Sequence, residues 1–347
     1  MSFSKALIYW YLQRDRDLPW RKTLNPYLVW LSEIMLQQTR VAQGMSYYLA
    51  FSEAFPTLND LAKAEENTVL KMWQGLGYYS RARNLHYTAK HIVNELDGVF
   101  PNTYKELLKL KGVGDYTASA IASICFNEAS AVVDGNVYRV LARYFGIHTP
   151  INSTKGVKEF KELAQSLIDS KQPGTFNQAI MDFGSLQCKP QNPNCEQCPV
   201  QMSCCAFEEK RIKELPVKEK KLKIKKRYFN YLVIMTRDHK TVLEERKGKG
   251  IWQGLYQFPL LETTKDTHDD VVLSEEFKSK IPSGAEVQLF NQSEIIHKLS
   301  HQHLHTRFWI VKVNKYPSAT ISWSDVKKYP VPVLIDNFLK NYNEESN

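Results

Sequence analysis

Four closely spaced cysteines constrain the fold of this 347-residue chain more than any other feature of its sequence. Cys188, Cys195, Cys198 and Cys204 follow the spacing C-x6-C-x2-C-x5-C. Thiolates this close can converge on one tetrahedral centre, and four-thiolate sites hold zinc or an iron–sulfur cluster. Structural zinc sites usually use two close cysteine pairs, whereas here only Cys195 and Cys198 are that close. The spacing therefore favours a [4Fe-4S] cluster, one per chain, over zinc.

Two other uses of these cysteines fit the sequence less well. Between residues 187 and 199 the cysteines stand among polar residues and prolines, which argues against thiols packed singly in a core. Disulfides belong to oxidising compartments, and the charged first twenty residues do not resemble a secretory signal peptide. We therefore expect a reducing, cytoplasmic location, which suits thiolates bound to a metal.

Length and charge set broad limits on the protein. A chain of 347 residues is long enough for two domains, each with its own core. No apolar run reaches the length of a membrane span, so we expect no membrane partner. The formal net charge of +9 suits a polyanionic partner, although charge by itself does not specify a fold.

Basic residues concentrate around position 220, and the pattern of apolar residues changes there. The cluster consists of Lys218, Lys220, Lys221, Lys223, Lys225, Lys226 and Arg227. Pro216 interrupts the segment and no apolar period runs through it, so residues 208–227 are predicted to form a basic linker. This linker can act as a solvated tether or as a strap that follows phosphate groups, and the two roles are compatible.

The segments on either side of the linker follow different periods. Before it, apolar residues recur at helical spacing in 27–43, 118–124, 137–145 and 157–168. After it, β-branched and aromatic residues form short runs at 228–235, 241–244, 295–299 and 307–313. We predict a multidomain protein with an all-α domain over 1–207 and an α+β domain over 228–342, which closes with a helix near 332–342.

A glycine-containing turn joins two helical patterns at residues 110–118. Gly112, Val113 and Gly114 form its centre, and the amides that begin the next helix are suited to bind a phosphate. This turn and the cysteine motif about seventy residues later together resemble the helix-hairpin-helix DNA glycosylases, which carry an iron–sulfur cluster. The resemblance implies that the cluster of this chain lies at 188–204. That superfamily includes endonuclease III-like enzymes and the MutY adenine glycosylases. Lys111 replaces the usual hairpin proline, and Cys205 beside Cys204 leaves the fourth ligand formally ambiguous.

The residue two positions after the second hairpin glycine separates the branches of this superfamily. Enzymes that also cut the DNA strand carry a lysine there, which forms a Schiff base with the sugar. Here the position is Tyr116, which has no amine to form an imine. The resemblance therefore implies a MutY-type, monofunctional glycosylase with little or no lyase activity.

Two carboxylates match the family's catalytic positions. Glu33 lies in the segment 31–39, which matches the MutY helix that carries the general acid, and Asp134 precedes a helix as the sugar-facing aspartate does. By resemblance Glu33 protonates adenine N7, and Asp134 stabilises the oxocarbenium-like sugar. Tyr116 and Asn136 are expected to hold these groups in place. Each acid has a plainer alternative: Glu33 as a surface residue and Asp134 as a helix cap.

Other matches imply how the base is extracted and held. An enzyme that acts on a base within duplex DNA must flip it out of the stack. By resemblance Trp20, Arg21 and Gln178 line the adenine pocket. The residues expected to wedge into the helix near the opposite base are Leu36, Gln37, Gln38, Thr39 and Tyr78.

The second domain resembles the Nudix-like domain with which MutY proteins inspect the opposite base. The segment 250–259 matches its glycine-and-aromatic signature. Leu299, Ser300 and His301 match the loop that reads 8-oxoguanine, although Leu299 replaces the family's phenylalanine. The acidic box that binds magnesium in Nudix hydrolases is not found in 260–274, so nucleotide hydrolysis is not expected.

The resemblance implies an adenine DNA glycosylase of base excision repair. Its expected partner is duplex DNA with adenine opposite 8-oxoguanine or guanine, and it is expected to act as a monomer with the chromosomal DNA. Contacts with other repair proteins are expected at the linker. Two rivals remain: a glycosylase for another mismatch, such as thymine opposite guanine, and a non-catalytic lesion-binding protein.

Overall fold

The computed structural model describes residues 1–14, 16–219, 224–266 and 268–342. Lys220, Lys221 and Lys223 of the predicted linker lie outside the described residues. The chain divides into two compact units. The first consists of Met1–Lys63 and Asn84–Lys220, and the second of Ala64–Arg83 and Lys221–Asn347. The second unit thus includes a stretch from the helical half of the sequence, while the domain boundaries at 207 and 227 remain a prediction.

All regular secondary-structure elements of the first unit, within the described residues, are helical. They are α1 Phe3–Leu12, α2 Pro26–Leu36, α3 Val41–Ala54, α4 Leu58–Lys63, α6 Ser80–Glu95 from Asn84 onward, α7 Tyr104–Leu107, α8 Asp115–Phe126, α9 Gly135–Phe145, α10 Thr154–Leu167, α11 Pro173–Asp182 and α12 Cys205–Glu208. A π-helical turn, Phe183–Gln187, continues α11 toward the cysteines. In the described ranges, no helix combines the length and the apolar character that crossing a membrane requires.

Local sequence explains where α2 begins and ends. Asn25 caps its first turn by accepting a hydrogen bond from the Tyr27 amide at 3.0 Å, and Pro26 occupies the first helical position. The helix ends at Leu36 because Gln38 adopts the left-handed region with φ 54°. The helical segment predicted over 27–43 is therefore interrupted, and Gln37 and Gln38 lie on the turn before α3.

A core of apolar side chains fixes the helices that carry the site. Leu7 and Trp10 of α1 pack with Leu141 of α9, and all three are buried. The ring of Trp10 contacts Phe183 edge-on at 5.1 Å. Burying a side chain of this size contributes about 1.5–3 kcal/mol. This packing fixes the position of α9, whose N-cap and first turn carry the predicted site residues Asp134 and Asn136.

The second unit is built on a mixed sheet. Its strands are β1 Lys225–Thr236, β2 Lys240–Thr241, β3 Glu244–Glu245, β4 Tyr256–Gln257, β5 Leu260–Thr263, β6 Glu286–Leu289, β7 Ile295–Lys298, β8 Gln302–Val313 and β9 Ile321–Ser322. The main sheet has the order β5-β1-β8-β6, with β1 parallel to β8 and with β7 antiparallel to β8. The run predicted at 241–244 is divided between β2 and β3, since these two strands pair with β9 and β4.

Among the described residues, three α-helices complete the second unit. They are α5 Glu66–Met72, α13 Glu275–Lys280 and α14 Val333–Asn341, and the first turn of α6 also belongs to it. Polar contacts fasten the 64–83 segment to the end of the chain. The Gln74 side chain donates to Asp336 Oδ1 at 2.8 Å and accepts from the Val331 amide at 3.2 Å, and Lys71 donates to the Tyr329 carbonyl at 3.1 Å.

Candidate active site

One cavity of the first unit, with a volume of about 210 Å³, gathers most of the predicted catalytic residues. Both carboxylates, Glu33 and Asp134, line it. The other predicted residues that line it are Trp20, Arg21, Leu36, Thr39, Tyr116, Asn136 and Gln178. These residues come from segments far apart in the sequence, so the fold brings together what the sequence only suggested.

Glu33 is the buried acid of this cavity. It lies on α2 with 9% of its surface exposed. Burial raises the pKa of its carboxyl to about 7, and the nearby Asp134 acts in the same direction, while a hydrogen bond with Tyr116 and the charge of Arg21 oppose the rise. A carboxyl with a pKa near neutrality holds a proton that it can donate to a bound molecule.

Asp134 is held in a different environment. It is the N-cap of α9, and its Oδ1 accepts from the amides of Asn136 at 2.9 Å and Val137 at 2.8 Å. Its Oδ2 accepts from the side-chain amide of Asn136 at 2.8 Å. Burial raises the pKa of Asp134, whereas these hydrogen bonds favour its charged form. Asp134 therefore caps α9 and also lines the cavity, so its role as a helix cap is compatible with the predicted catalytic role.

Tyr116 lies between these elements, near the start of α8. Its hydroxyl donates toward Met181 Sδ at 3.1 Å and also interacts with Glu33. Burial raises the pKa of this phenol well above 10, which keeps it neutral. Among the described residues that line the cavity there is no lysine. The site as described therefore offers no amine for covalent attack on a sugar carbon.

Sequence reasoning missed the group that holds Arg21. Asp182 is buried, and its carboxylate accepts from Arg21 NH1 at 2.5 Å and NH2 at 2.8 Å and from Arg16 NH1 at 2.7 Å. Such a two-point contact fixes the plane of the guanidinium. Tyr11 was missed as well: its hydroxyl donates to Gln178 Oε1 at 2.7 Å. The position of Asp182, four residues after Gln178 on α11, was the one available signal.

Of the predicted wedge residues on the turn after α2, Gln37 and Gln38 lie outside the cavity. Gln37 is half-buried and donates to the Thr117 hydroxyl at 3.2 Å, while Gln38 is exposed on the turn after α2. Leu36 and Thr39, on either side of them, line the cavity. This turn therefore places two polar side chains, Gln37 and Gln38, beside the cavity that contains the predicted catalytic residues.

The glycine turn leads into α8 as predicted. Gly112 has φ 81°, and a Cβ there would lie 2.7 Å from Asn84 Cβ, so a larger residue does not fit without movement. Val113 is buried and Gly114 is the exposed N-cap of α8. Lys111 lies over the ring of Tyr87 at 4.2 Å. The arrangement exposes backbone amides at the start of a helix, where an anion is favoured.

The four predicted ligand cysteines line a second cavity of the first unit, whereas Cys205 is not among its described lining residues. Burial, together with the charges of the other three cysteines, raises the pKa of the Cys198 thiol to about 11, while a hydrogen bond from the Val200 amide opposes the rise. Four thiolates here would repel one another unless bound cations neutralise them. No three such side chains in the described part of the chain are close enough to hold a single ion.

Two arginines of α9 connect this cysteine loop to the helix that carries Asp134. Arg139 is buried and donates to the Cys188 carbonyl at 2.7 Å, the Gly184 carbonyl at 2.5 Å and Asn136 Oδ1 at 2.9 Å. Arg143 donates to the Lys189 carbonyl at 2.7 Å, and its NH1 lies 3.5 Å from Cys188 Sγ. The cysteine loop and the Asp134–Asn136 pair therefore share one hydrogen-bonded support.

A cavity of about 580 Å³ within the second unit gathers the remaining predicted residues. Tyr78, Leu299, Ser300 and His301 line it, together with Trp252. The Leu299 amide donates to the Gln302 carbonyl at 2.8 Å, which closes the turn between β7 and β8, and Ser300 Oγ lies 3.3 Å from His301 Nδ1. The second unit thus joins Tyr78 to a loop more than two hundred residues later.

Comparisons with protein families match both units. Residues 31–168 match the family described as HhH-GPD superfamily base excision DNA repair protein, and residues 230–341 match the NUDIX domain. The predicted order of a helical glycosylase domain followed by an α+β Nudix-like domain is confirmed.

Two relatives match nearly the whole chain. An adenine DNA glycosylase from Buchnera aphidicola subsp. Baizongia pistaciae is 36% identical over 319 residues, which cover 91% of this chain and 87% of that protein. Another, from Buchnera aphidicola subsp. Acyrthosiphon pisum, is 31% identical over 98% of each chain. Among solved structures, a thermostable thymine-DNA glycosylase aligns with TM-score 0.56 and 31% identity over 60% of this chain and 95% of that chain.

Proposed function

The chain belongs to the MutY-type adenine DNA glycosylases, and we propose that it hydrolyses the N-glycosidic bond of adenine paired with 8-oxoguanine or guanine in duplex DNA. It is a DNA N-glycosylase of base excision repair. The proposed reaction rests on one observation, which is that Glu33 and Asp134 line the same cavity. The surroundings of the two side chains differ, and such a difference is needed if one carboxyl is to stay protonated while the other stays ionised.

Glu33 supplies the proton and Asp134 the negative charge. As the bond between adenine N9 and the sugar C1′ breaks, its electron pair moves to the base, and Glu33 neutralises the base by protonating N7. The sugar becomes oxocarbenium-like, and the carboxylate of Asp134 stabilises it. Water then adds to C1′ and releases a proton. The pKa of Glu33, about 7, leaves the acid available near neutral pH.

The polar wall of the cavity supports a purine substrate. Asp182 fixes the guanidinium of Arg21. The Tyr11 hydroxyl donates to Gln178 Oε1, which leaves the side-chain amide NH2 of Gln178 to donate to a ring nitrogen of the base. We assign the adenine pocket to Trp20, Arg21 and Gln178 on this basis. A base without acceptors at those points would leave buried donors unpaired, which costs binding.

We expect adenine release without strand cleavage. A duplex with adenine opposite 8-oxoguanine should lose adenine in a single turnover, and breaks should appear only after alkali, because Tyr116 stands where a lyase has lysine. Duplexes with adenine opposite guanine, adenine opposite thymine and thymine opposite guanine serve as controls. Breaks without alkali would overturn the monofunctional assignment.

The thymine–guanine duplex in this assay tests a second candidate. The likeness to a thymine-DNA glycosylase covers 60% of this chain and so supports that alternative for the helical part. Release of thymine instead of adenine would favour it. Binding of the duplexes with no release of any base would identify a non-catalytic lesion-binding protein.

We propose that Cys188, Cys195, Cys198 and Cys204 hold one [4Fe-4S] cluster. Support comes from four thiols on one cavity and from Arg143, which lies near Cys188 Sγ and can offset negative charge. When bound, the cluster would cross-link the loop that follows α11. Arg139 and Arg143 hold the backbone of that loop, and Asp134 and Glu33 carry the reaction.

We assign the cavity of the second unit to the base opposite adenine. Ser300 can exchange hydrogen bonds with a purine edge, and Tyr78 can stack beside it. Gly112, Val113 and Gly114 bind phosphate in this proposal. The turn from Leu36 to Thr39 enters the gap left by the flipped base, and residues 208–227 link domains 1–207 and 228–342.

Ser300→Ala should reduce the preference for 8-oxoguanine over guanine about tenfold, because a lost hydrogen bond to a polar base is worth roughly that factor. The ratio of single-turnover rates on the two duplexes measures it. Ser279→Ala, an exposed serine on α13, is the matched control. An unchanged ratio in Ser300→Ala would remove this serine from recognition.

A further inference from the structure

A strained turn in the second unit presents Tyr78. Gly75 and Gly77 have φ values of 95° and 77°, and Tyr78 itself has φ 48°, in the left-handed region. A residue with a side chain keeps such a conformation only where its surroundings impose it. The Tyr78 side chain is nevertheless exposed by 46%, so little packing over the ring itself can impose that conformation.

Arg81 holds this turn from beneath. Its NH2 donates to the carbonyls of Leu76 at 3.3 Å and Gly77 at 3.0 Å. The indole Nε1 of Trp73 donates to the same Gly77 carbonyl at 3.0 Å. The guanidinium is therefore bonded to the two peptide units that immediately precede Tyr78. The Tyr78 carbonyl in turn accepts from the Arg81 amide at 2.9 Å, at the start of α6.

The same guanidinium also lies against the ring that the turn presents. Arg81 Cζ is 5.5 Å from the centroid of Tyr78 and 5.3 Å from that of Trp73, within the range of cation–π attraction. Arg81 is only 7% exposed. One buried cation thus fixes both the backbone and the ring of Tyr78, and lysine could not copy this planar contact.

The turn stands at the cavity assigned to the opposite base. Leu76, Gly77 and Tyr78 line that cavity, as do Ser300 and His301. All of these residues belong to the second unit. The direction in which the Tyr78 ring points therefore determines whether it can enter a base stack while Ser300 contacts the base.

We propose that Arg81 is a positioning residue that acts through Tyr78: it holds the Leu76–Tyr78 turn and its ring in the direction needed to wedge into duplex DNA. The inference rests on the proposed function, because it assumes that Tyr78 is the wedge. Arg81 itself touches no reacting atom in this proposal. Its effect on adenine release should therefore depend on the presence of the tyrosine ring.

A double-mutant cycle tests this dependence. Single-turnover rates of adenine release opposite 8-oxoguanine are compared for the wild type, Tyr78→Leu, Arg81→Gln and the double variant. We expect Tyr78→Leu to lower the rate about tenfold, the scale of one stacking contact between a base and an aromatic ring. Arg81→Gln should cause a comparable loss alone, but less than about twofold in the Tyr78→Leu background.

Lys71→Met is the matched control, because Lys71 also joins segments of this unit through a carbonyl but contacts neither the turn nor the cavity. Thermal unfolding of all variants shows whether a lower rate comes from a destabilised fold or from a misplaced Tyr78 ring. An equal loss from Arg81→Gln in both backgrounds, or no loss at all, would overturn the inference, as would a normal rate in Tyr78→Leu. A wild type that releases no adenine would instead overturn the proposed function.

Discussion

Glu33→Gln is expected to lower the single-turnover rate of adenine release about 100- to 10,000-fold, the usual contribution of a positioned acid. Glutamine keeps the size of the side chain but carries no proton that it can transfer. Duplex binding should be nearly unchanged, since Glu33 is buried on α2 and glutamine keeps the shape of the side chain. Rate and affinity are measured on the same duplex with adenine opposite 8-oxoguanine.

An exposed glutamate provides the control for this result. Glu53→Gln on α3 removes the same charge from the surface and should keep the wild-type rate. If Glu33→Gln stayed within about tenfold of the wild type, Glu33 could not be the principal acid. Asp134→Asn tests the partner carboxylate in the same way.

The pH profile of the wild type gives a second view of the same carboxyl. Burial raises the pKa of Glu33 to about 7, so its acid form is available below that pH and is lost above it. The single-turnover rate should therefore fall as pH rises through about 7, toward tenfold per pH unit. A rate that stayed level from pH 6 to 9 would contradict this assignment.

Arg139→Met is expected to lower the free energy of unfolding by about 3–5 kcal/mol, because buried carbonyls left without a donor cost about 1–3 kcal/mol each. The carbonyls of Gly184 and Cys188 would both lose their donor. Asn136 would also lose the contact that orients it toward Asp134. Denaturant unfolding measures the stability, and single-turnover assays well below the transition measure the rate.

Arg143→Met is the matched control for this variant. Arg143 is also buried on α9 and also holds the cysteine loop, but its described backbone partners are the carbonyls of Leu215, Lys189 and Pro190 rather than Asn136. Both variants should lose stability, whereas Arg139→Met should lose the greater part of the activity. Equal activity in the two would show that Arg139 supports the loop without orienting the carboxylate.

Resemblance in the sequence found the residues that stand in recognisable motifs. Glu33, Asp134 and Tyr116 were each predicted from the segment around them, and all three line the same cavity. Asp182 and Tyr11 were not predicted, because their importance comes from contacts with Arg21 and Gln178 that periodicity does not reveal. Such contacts exist only after distant segments have packed.

The pattern of apolar residues also did not predict where helix α2 ends or to which unit residues 64–83 belong. The apolar period of α2 continues in the sequence to residue 43, but the left-handed φ of Gln38 ends the helix at Leu36 and leaves Gln38 exposed. In the same way, Ala64–Arg83 reads as part of the helical half, yet it belongs to the second unit with the Ser300 loop. The contact of Gln74 with Asp336 is one of those that join this stretch to the end of the chain.

The sequence by itself determined the order of helices and strands, the four thiols of the cysteine motif and the absence of lysine at position 116, because these depend on local period and on residue identity. Only the tertiary structure decided that burial raises the pKa of Glu33 to about 7 and that Tyr78 shares a cavity with Ser300. Both are consequences of burial and of contacts between distant segments. Desolvation of a carboxyl depends on everything packed around it, which no single segment of the sequence specifies.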